Sequence, residues 1–377
     1  MTDDGDVYRR LQKHLDALPV GYPATESGVE LRILKRLFTD DEAEVALGLS
    51  AAPEPVEKIQ RRVPGGTSEE LERMLDRMVE KGAIFGGRLF ARDGRKRYSR
   101  APLAIGMYEA QVDRLTKEMQ QDFEQYAREG FAAALVAVKT KQLRTVPVNA
   151  SFVPDRLVGH YDDARGMIAE GKGPWATRNC VCRQGKDVLG EPCRQTDARR
   201  VCLMIGDIAR ASVASGDGQA LTREETLALL DEAERDGMVL QPSNARDVAF
   251  MCFCCGCCCG MLQAAKQFPH PAEYLHSNYQ AVVDAALCTE CETCRSRCPM
   301  EALLSADGAT AVDLDRCIGC GACVGTCPTG AVRLRAKAQE RVPPKDLKAL
   351  YGKIMTDRFG VLGAAKRIGK ALLGRQI

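Results

Sequence analysis

The sequence predicts an α+β multidomain protein, and three observations lead there. Between Cys288 and Pro328 the chain twice spells C-x-x-C-x-x-C-x-x-x-C-P. A second, irregular concentration of cysteine lies upstream, between Cys180 and Cys259. The N-terminal third instead carries helical periodicity followed by a hairpin signal. These features divide the 377 residues into an N-terminal extension (1–24), a small helical domain with a hairpin (25–105), a helical connector (106–174), a cysteine-rich metal-binding region (175–275), a compact module built on the paired runs (279–336) and a basic tail (337–377).

Composition narrows the class. A formal net charge of +2 and a hydrophobic fraction of 45% are ordinary for a soluble chain, whereas 18 cysteines are not. The first residues, Met1 to Asp6, are acidic and no long apolar core follows, so no secretory signal is expected. The longest apolar run, Phe131 to Val138, is too short to span a bilayer. The expected compartment is the cytoplasm, where thiols stay reduced and available to metals.

The first run comprises Cys288, Cys291, Cys294, Cys298 and Pro299; the second comprises Cys317, Cys320, Cys323, Cys327 and Pro328. Three thiolates at this spacing lie on one tight loop and wrap three corners of an iron–sulfur cube, leaving the fourth corner out of reach. The proline after each fourth cysteine ends the loop, because it fixes φ and needs no N–H at a first helical position. Strands are expected at Ala281–Val283, Ala311–Val312 and Val332–Leu334. From about Tyr279 to Leu334 the chain is similar to the two-cluster bacterial ferredoxins. The resemblance implies two [4Fe–4S] clusters, each borrowing the distant cysteine of the other run. One then takes Cys288, Cys291, Cys294 and Cys327; its partner takes Cys317, Cys320, Cys323 and Cys298. Zinc and disulfides compete, but zinc sites usually draw on two separated pairs of ligands. The loops differ chemically. The second contains Gly319, Gly321 and Gly325, whereas the first carries Glu290 and Glu292 with Arg295 and Arg297 beside Cys298. The clusters are therefore expected to differ in potential, in an order the mixed charges leave open.

Ten cysteines remain. One group is Cys180, Cys182, Cys193 and Cys202; the other is Cys252, Cys254, Cys255, Cys257, Cys258 and Cys259 within Met251 to Gly260. Neighbouring cysteines pair poorly as disulfides because their Cβ atoms diverge. A local excess of soft thiolates points to metal: one or two additional iron–sulfur clusters, structural zinc, or redox-active thiols without metal. The spacing assigns no ligand pairing. Clusters shared across the groups would tie residues near 180 to residues near 255, leaving the helical segment Thr222 to Met238 as an insertion. Gly256 and Gly260 suit a tight backbone around sulfide, with a helix expected from Met261 to Phe268.

In the N-terminal third, helices are expected over Glu26–Phe38, from the Thr39 capping box to Leu49, over Pro55–Val63, and from Thr67 or Ser68 to Gly82. Ile84–Phe85, a turn at Asp93–Gly94 and Tyr98 then form a hairpin. Ser68 to Tyr98 resembles a winged helix-turn-helix domain. Its wing carries Arg88, Arg92, Arg95, Lys96, Arg97 and Arg100, but the would-be recognition helix holds Glu69, Glu70, Glu72, Asp76 and Glu80 against Arg73, Arg77 and Lys81. DNA binding, protein docking and a structural role all remain open. Gln111 to Phe131 reads as one amphipathic helix with Val112, Leu115, Met119, Phe123 and Tyr126 on its apolar stripe. Pro147 and Pro154 mark a linker, and Thr222-x-x-Glu225 caps a helix to Asp236. The tail alternates Val361, Leu362, Ile368, Leu372 and Leu373 with bases. That pattern suits a membrane surface, an acidic partner or a solvated end.

The reading these features favour is an iron–sulfur electron-transfer protein, a subunit or dedicated redox partner of a larger oxidoreductase. The whole chain loosely resembles longer iron–sulfur proteins of anaerobic metabolism. No catalytic residue is assigned: no nucleophile set, phosphate loop or dinucleotide fingerprint is present, and none of the four histidines falls in a catalytic signature. Two alternatives stand beside it: a winged-helix regulator that senses redox state, and an enzyme with an open cluster site in the central region.

Overall fold

The computed structural model describes residues 6–63, 65–87, 94–148, 160–306 and 308–372. The chain divides into two units, one formed by the residues up to Thr140 with Asp187–Glu191 and those from Tyr351, the other by Lys141–Lys186 and Pro192–Leu350.

The first unit opens with helices α1 (Val7–Asp16), α2 (Val29–Leu37), α3 (Asp40–Leu47), α4 (Val56–Gln60) and α5 (Ser68–Glu80). The expected capping box at Thr39 is present, and Thr67, one of the two expected caps of α5, forms a second. Thr39 Oγ1 accepts from Glu42 N–H at 3.3 Å, and Thr67 Oγ1 accepts from Glu70 N–H at 3.2 Å, each with the reciprocal glutamate bond at 2.8 Å. Leu11, Ile33, Leu34, Leu75 and Met78 are fully buried, so the helices hold together by their apolar faces. Strands β1 (Ile84–Gly87) and β2 (Arg97–Arg100) pair antiparallel as the hairpin. Arg88, Arg92 and the Asp93 turn lie outside the described residues. The hairpin is less basic in effect than in sequence. Lys96 is tied to Glu72 and Asp76 on α5 at 2.9 and 2.6 Å. Arg100 is buried and donates to the carbonyl of His14.

The single helix expected over Gln111–Phe131 does not form. Val112 is extended, Asp113 adopts a left-handed φ of 65°, and α6 (Lys117–Tyr126) starts only where Thr116 supplies an N-cap to Met119 N–H at 3.2 Å. A cap outcompetes a continuous stripe here, because it satisfies N–H groups that periodicity alone leaves orphaned. The stripe is nonetheless buried throughout, and α7 (Ala132–Ala137) follows a wide turn.

The second unit holds an element that sequence periodicity did not announce, a five-stranded antiparallel sheet in the order β5-β3-β4-β7-β6. After α8 (Ala164–Ala169) its parts run β3 (Trp175–Asn179), α9 (Val181–Val188), β4 (Arg200–Ile205), α10 (Asp207–Ser215), β5 (Gln219–Leu221), α11 (Arg223–Asp236), β6 (Val239–Pro242) and β7 (Phe250–Cys254). The Thr222 capping box opens α11 as expected. Thr222 to Met238, expected as an insertion between the cysteine groups, carries α11 between strands β5 and β6 of the sheet. Helices α12 (Gly260–Lys266) and α13 (Pro271–Tyr274) lead to β8 (Tyr279–Val283), α14 (Thr293–Arg297), β9 (Leu303–Ala306), β10 (Ala309–Val312) and β11 (Val332–Ala336). Strand β8 pairs with β11 and β9 with β10, the two antiparallel pairs of the C-terminal module.

Residues 141–148 run alongside β6 and also reach the C-terminal module. Val146 N–H donates to Leu240 O at 3.1 Å, Thr145 N–H to His276 O at 2.7 Å and Val148 N–H to Cys320 O at 3.0 Å. Buried Arg144 donates to Ser243 O at 2.5 Å and Ala245 O at 2.9 Å, and lies 3.4 Å from Asp162. Asp162 accepts in turn from Asn278 at 2.7 Å. This polar chain fixes the module to the sheet.

The final helix, α15 (Leu347–Leu372), bends at Gly360, where φ is 71° and ψ 168°. Before the bend Arg358 donates to Asp16 O at 2.5 Å and to Leu18 O at 2.6 Å, so this part of the tail is docked. After it, Val361 and Leu362 are exposed. Leu373 and Arg375 lie outside the described residues. Among the described residues no helix is long and apolar enough to cross a membrane.

Buried His14 sits with Nε2 3.0 Å from Leu49 O. Burial, with Arg100 nearby, lowers its pKa to about 3. The unfolded chain therefore binds the proton more readily, and the stability contributed by neutral His14 is full above pH about 6.5 and declines toward pH 3. The first unit should lose about 1.4 kcal/mol per pH unit below that point. A His14→Gln variant should flatten this slope in thermal melts between pH 7 and 5. An unchanged slope would assign it elsewhere.

Candidate metal centres

None of the 18 cysteines forms a disulfide. In the C-terminal module each cysteine run forms one loop, and the loops place their distant cysteines crosswise. Cys327 lies in electrostatic reach of Cys291 and Cys294, while Cys298 does so for Cys317, Cys320 and Cys323. A cavity beneath the second loop is lined by Cys298, Cys317, Cys320 and Cys323 together with Ala281 and Ile318. That is the donor set and apolar wall an iron–sulfur cube needs.

The two loops share one backbone shape. Residues two and four places after the first cysteine take left-handed φ in both: 61° and 77° at Gly319 and Gly321, 52° and 60° at Glu290 and Glu292. Glycine is at ease there, whereas a side chain costs about 1–2 kcal/mol. The second loop has no alternative, since a Cβ on Gly319 would stand 2.1 Å from the carbonyl oxygen of Tyr279. Exposure separates the loops further. Cys317, Cys320 and Cys323 are buried, but Cys291 is exposed.

The ten central thiols regroup in space, and the grouping crosses the sequence clusters. Cys193 joins Cys255, Cys257 and Cys258. The other six assemble from the start of α9, from β4, from β7 and from the N-cap of α12. Cys180 and Cys182 lie at the start of α9 within electrostatic reach of each other, as Cys182 is of Cys259 and Cys254 of both Cys252 and Cys259. Cys202 on β4 sits opposite Cys252 on β7. Strand alternation causes the division. On β7, Cys252 and Cys254 point to one face, while Met251 and Phe253 point to the other along with the following Cys255.

Each set has a thiol held well below its ordinary pKa: Cys193 by hydrogen bonds from Cys255 and Cys258, and Cys259 by those from Cys182 and Cys254. Arg183, buried within α9, stands among both sets, near Cys180, Cys255 and Cys193. Its guanidinium also donates to Ala198 O at 2.6 Å and Phe253 O at 3.1 Å. Sequence reasoning did not single out Arg183 or Gln241. Gln241 is fully buried on β6, accepts from Cys254 at 3.3 Å, and leaves its Nε2 donor without a partner. A buried donor with no acceptor costs about 1–3 kcal/mol, and inorganic sulfide beside Cys254 would supply the acceptor.

Two substitutions test the loop geometry. Glu292→Gly should slow thermal loss of visible cluster absorbance, consistent with about 1 kcal/mol of relieved strain. Gly319→Ala should lower bound iron, because Tyr279 O cannot retreat without breaking β8. Equal iron in Gly319→Ala and unaltered protein would refute the close approach.

Residues 280–342 match a family model described as a 4Fe-4S dicluster domain. No curated protein and no solved structure matches the chain. The C-terminal module is thus an iron–sulfur domain of the dicluster type, one suited to electron transfer.

Proposed function

We propose that this chain is an electron-transfer subunit or dedicated redox partner of a larger oxidoreductase, with three cluster stations in its second unit. One is held by Cys288, Cys291, Cys294 and Cys327, the next by Cys317, Cys320, Cys323 and Cys298. The third draws its ligands from Cys180, Cys182, Cys202, Cys252, Cys254 and Cys259. A bound [4Fe–4S] cluster stores and passes on single electrons.

The observation that carries this reading is a shared core. Cys254 and Cys259 pack in the same hydrophobic cluster as Cys294, Cys317, Cys320 and Cys323, with Cys252, Cys298 and Cys327 against its edge. Thiolates gathered in one dry core can hold their metals close enough for charge to pass between them. The orphaned donor of Gln241 favours a sulfide-bearing occupant there.

The chain's other contribution is directional. The first loop is open to solvent at Cys291, with Leu287 exposed beside it, and so provides a docking end. Arg297 anchors the neighbouring segment by donating to Glu234 O at 2.8 Å and to Arg235 O, carbonyls at the C-terminus of α11 that favour a cation. In the first unit, the engagement of Lys96 and Arg100 favours a docking or scaffolding role for the winged-helix-like segment over DNA binding.

Iron and acid-labile sulfide analysis of anaerobically purified protein should give about twelve iron per chain, falling to about eight in Cys254→Ala. About eight in the unaltered protein would remove the third station. Fluorescence anisotropy should find no duplex DNA affinity at low salt. Tight, steeply salt-dependent binding would favour a regulator instead.

A further inference from the structure

The four sulfurs of Cys193, Cys255, Cys257 and Cys258 all lie within 4.8 Å of one another. Cys193 stands 3.6 Å from Cys255 and 3.7 Å from Cys257, and Cys257 stands 3.6 Å from both Cys255 and Cys258. A tetrahedron of thiolates around one ion with Zn–S bonds of about 2.3 Å has edges of about 3.8 Å. A cube holds each thiolate on a separate iron and therefore spreads its ligands much more widely. The same structure supplies the comparison. Among the described residues, none of the eight cysteines of the dicluster runs belongs to so tight a set, and neither does any of the six thiols of the third station.

We propose that Cys193, Cys255, Cys257 and Cys258 bind one structural zinc ion and hold no cluster. The donor set is closed: four thiolates fill a tetrahedron and leave no open position, the mark of structural and not catalytic zinc. Its surroundings fit the charge. Zn2+ with four thiolates is a net dianion, and buried Arg183 faces Cys255 and Cys193. Backbone N–H groups of Gln195 and Thr196 turn to the sulfur of Cys193, fixing its orientation. The set packs in the hydrophobic core formed by Trp175, Leu203, Leu230 and Phe253, whereas Cys254 and Cys259 of the third station pack in the other.

The ion has a clear mechanical task. It fastens the 193 loop to the turn that ends β7. Gly256, within that turn, lies against Pro299, where a Cβ would come 2.7 Å from the carbonyl oxygen. Cys254 and Cys259 flank the turn on either side. Zinc thereby sets the position of two thiols of the third station without taking part in redox chemistry.

The test uses full-length protein purified anaerobically. Elemental analysis should find about one zinc per chain, and zinc-edge X-ray absorption should show four sulfur neighbours at about 2.3 Å. Cys193→Ser and Cys257→Ser should lower zinc about tenfold while the iron bound by the dicluster cysteines stays. Zinc that persists in both variants, zinc with nitrogen or oxygen ligands, or a single ferric ion in its place would each overturn the assignment. So would a zinc-free protein in which Cys193→Ser lowers iron. If the variants prove insoluble, the absorption spectrum of the unaltered protein decides alone. The result is separable from the electron-transfer reading, which fails on iron content and not on zinc.

Discussion

A β-strand sends successive side chains to opposite faces, and the central region of this protein depends on that rule. Strand β7 and the turn after it carry Cys252, Cys254, Cys255, Cys257, Cys258 and Cys259 within a few residues. Adjacent thiols in a flexible loop would compete for the same metal. The pleat parts them instead, directing Cys252 and Cys254 toward the core shared with the dicluster module and Cys255 away from it. The sheet registers then bring in the partners: β4 presents Cys202 opposite Cys252 from one side and β6 presents Gln241 opposite it from the other, where Gln241 accepts from Cys254. Backbone hydrogen bonding thus decides which sulfur joins which set.

The dicluster module is subject to a second constraint, the conformation of the ligand loop. Both loops need left-handed backbone at the same two places, and only the second has glycine there. That asymmetry accompanies another. The glycine-bearing loop is buried against β8, where Tyr279 O leaves no room for a side chain, while the glutamate-bearing loop faces solvent. Burial disfavours added negative charge and nearby carboxylates do the same, so the two loops would oppose reduction of a cluster they hold by different means.

Much of this was legible in the sequence, and the limits are instructive. The caps at Thr39 and Thr222, and a cap at Thr67 or its neighbour Ser68, could be read because each is a local contract between a hydroxyl and a backbone N–H three residues on. The hairpin at Ile84 and Tyr98 and the strands around the cysteine runs were legible for similar local reasons. The five-stranded sheet was not. Its strands are short, Arg200–Ile205 interleaves a cysteine among aliphatics, and cysteine blurs the alternation by being both apolar and a ligand. Sharing between the two cysteine groups was legible as one alternative, but the choice of Cys193 as partner of the 255–258 turn was not, because it rests on contacts distant in sequence. Arg100 reads as one more base of a wing, and only packing shows it turned inward to His14. The amphipathic stripe from Val112 to Tyr126 was right about burial and wrong about helix start, since periodicity carries no information on which N–H groups find a cap.

The central claim is that Cys254 and its neighbours place a redox centre in the same core as the dicluster cysteines. EPR of the fully reduced, anaerobic protein tests it most directly, because paramagnetic clusters held in one core couple. The account predicts a signal integrating to about three spins per chain, broadened by mutual interaction, with one spin absent in Cys259→Ala. A spectrum of about two spins that the same substitution leaves unchanged would contradict it.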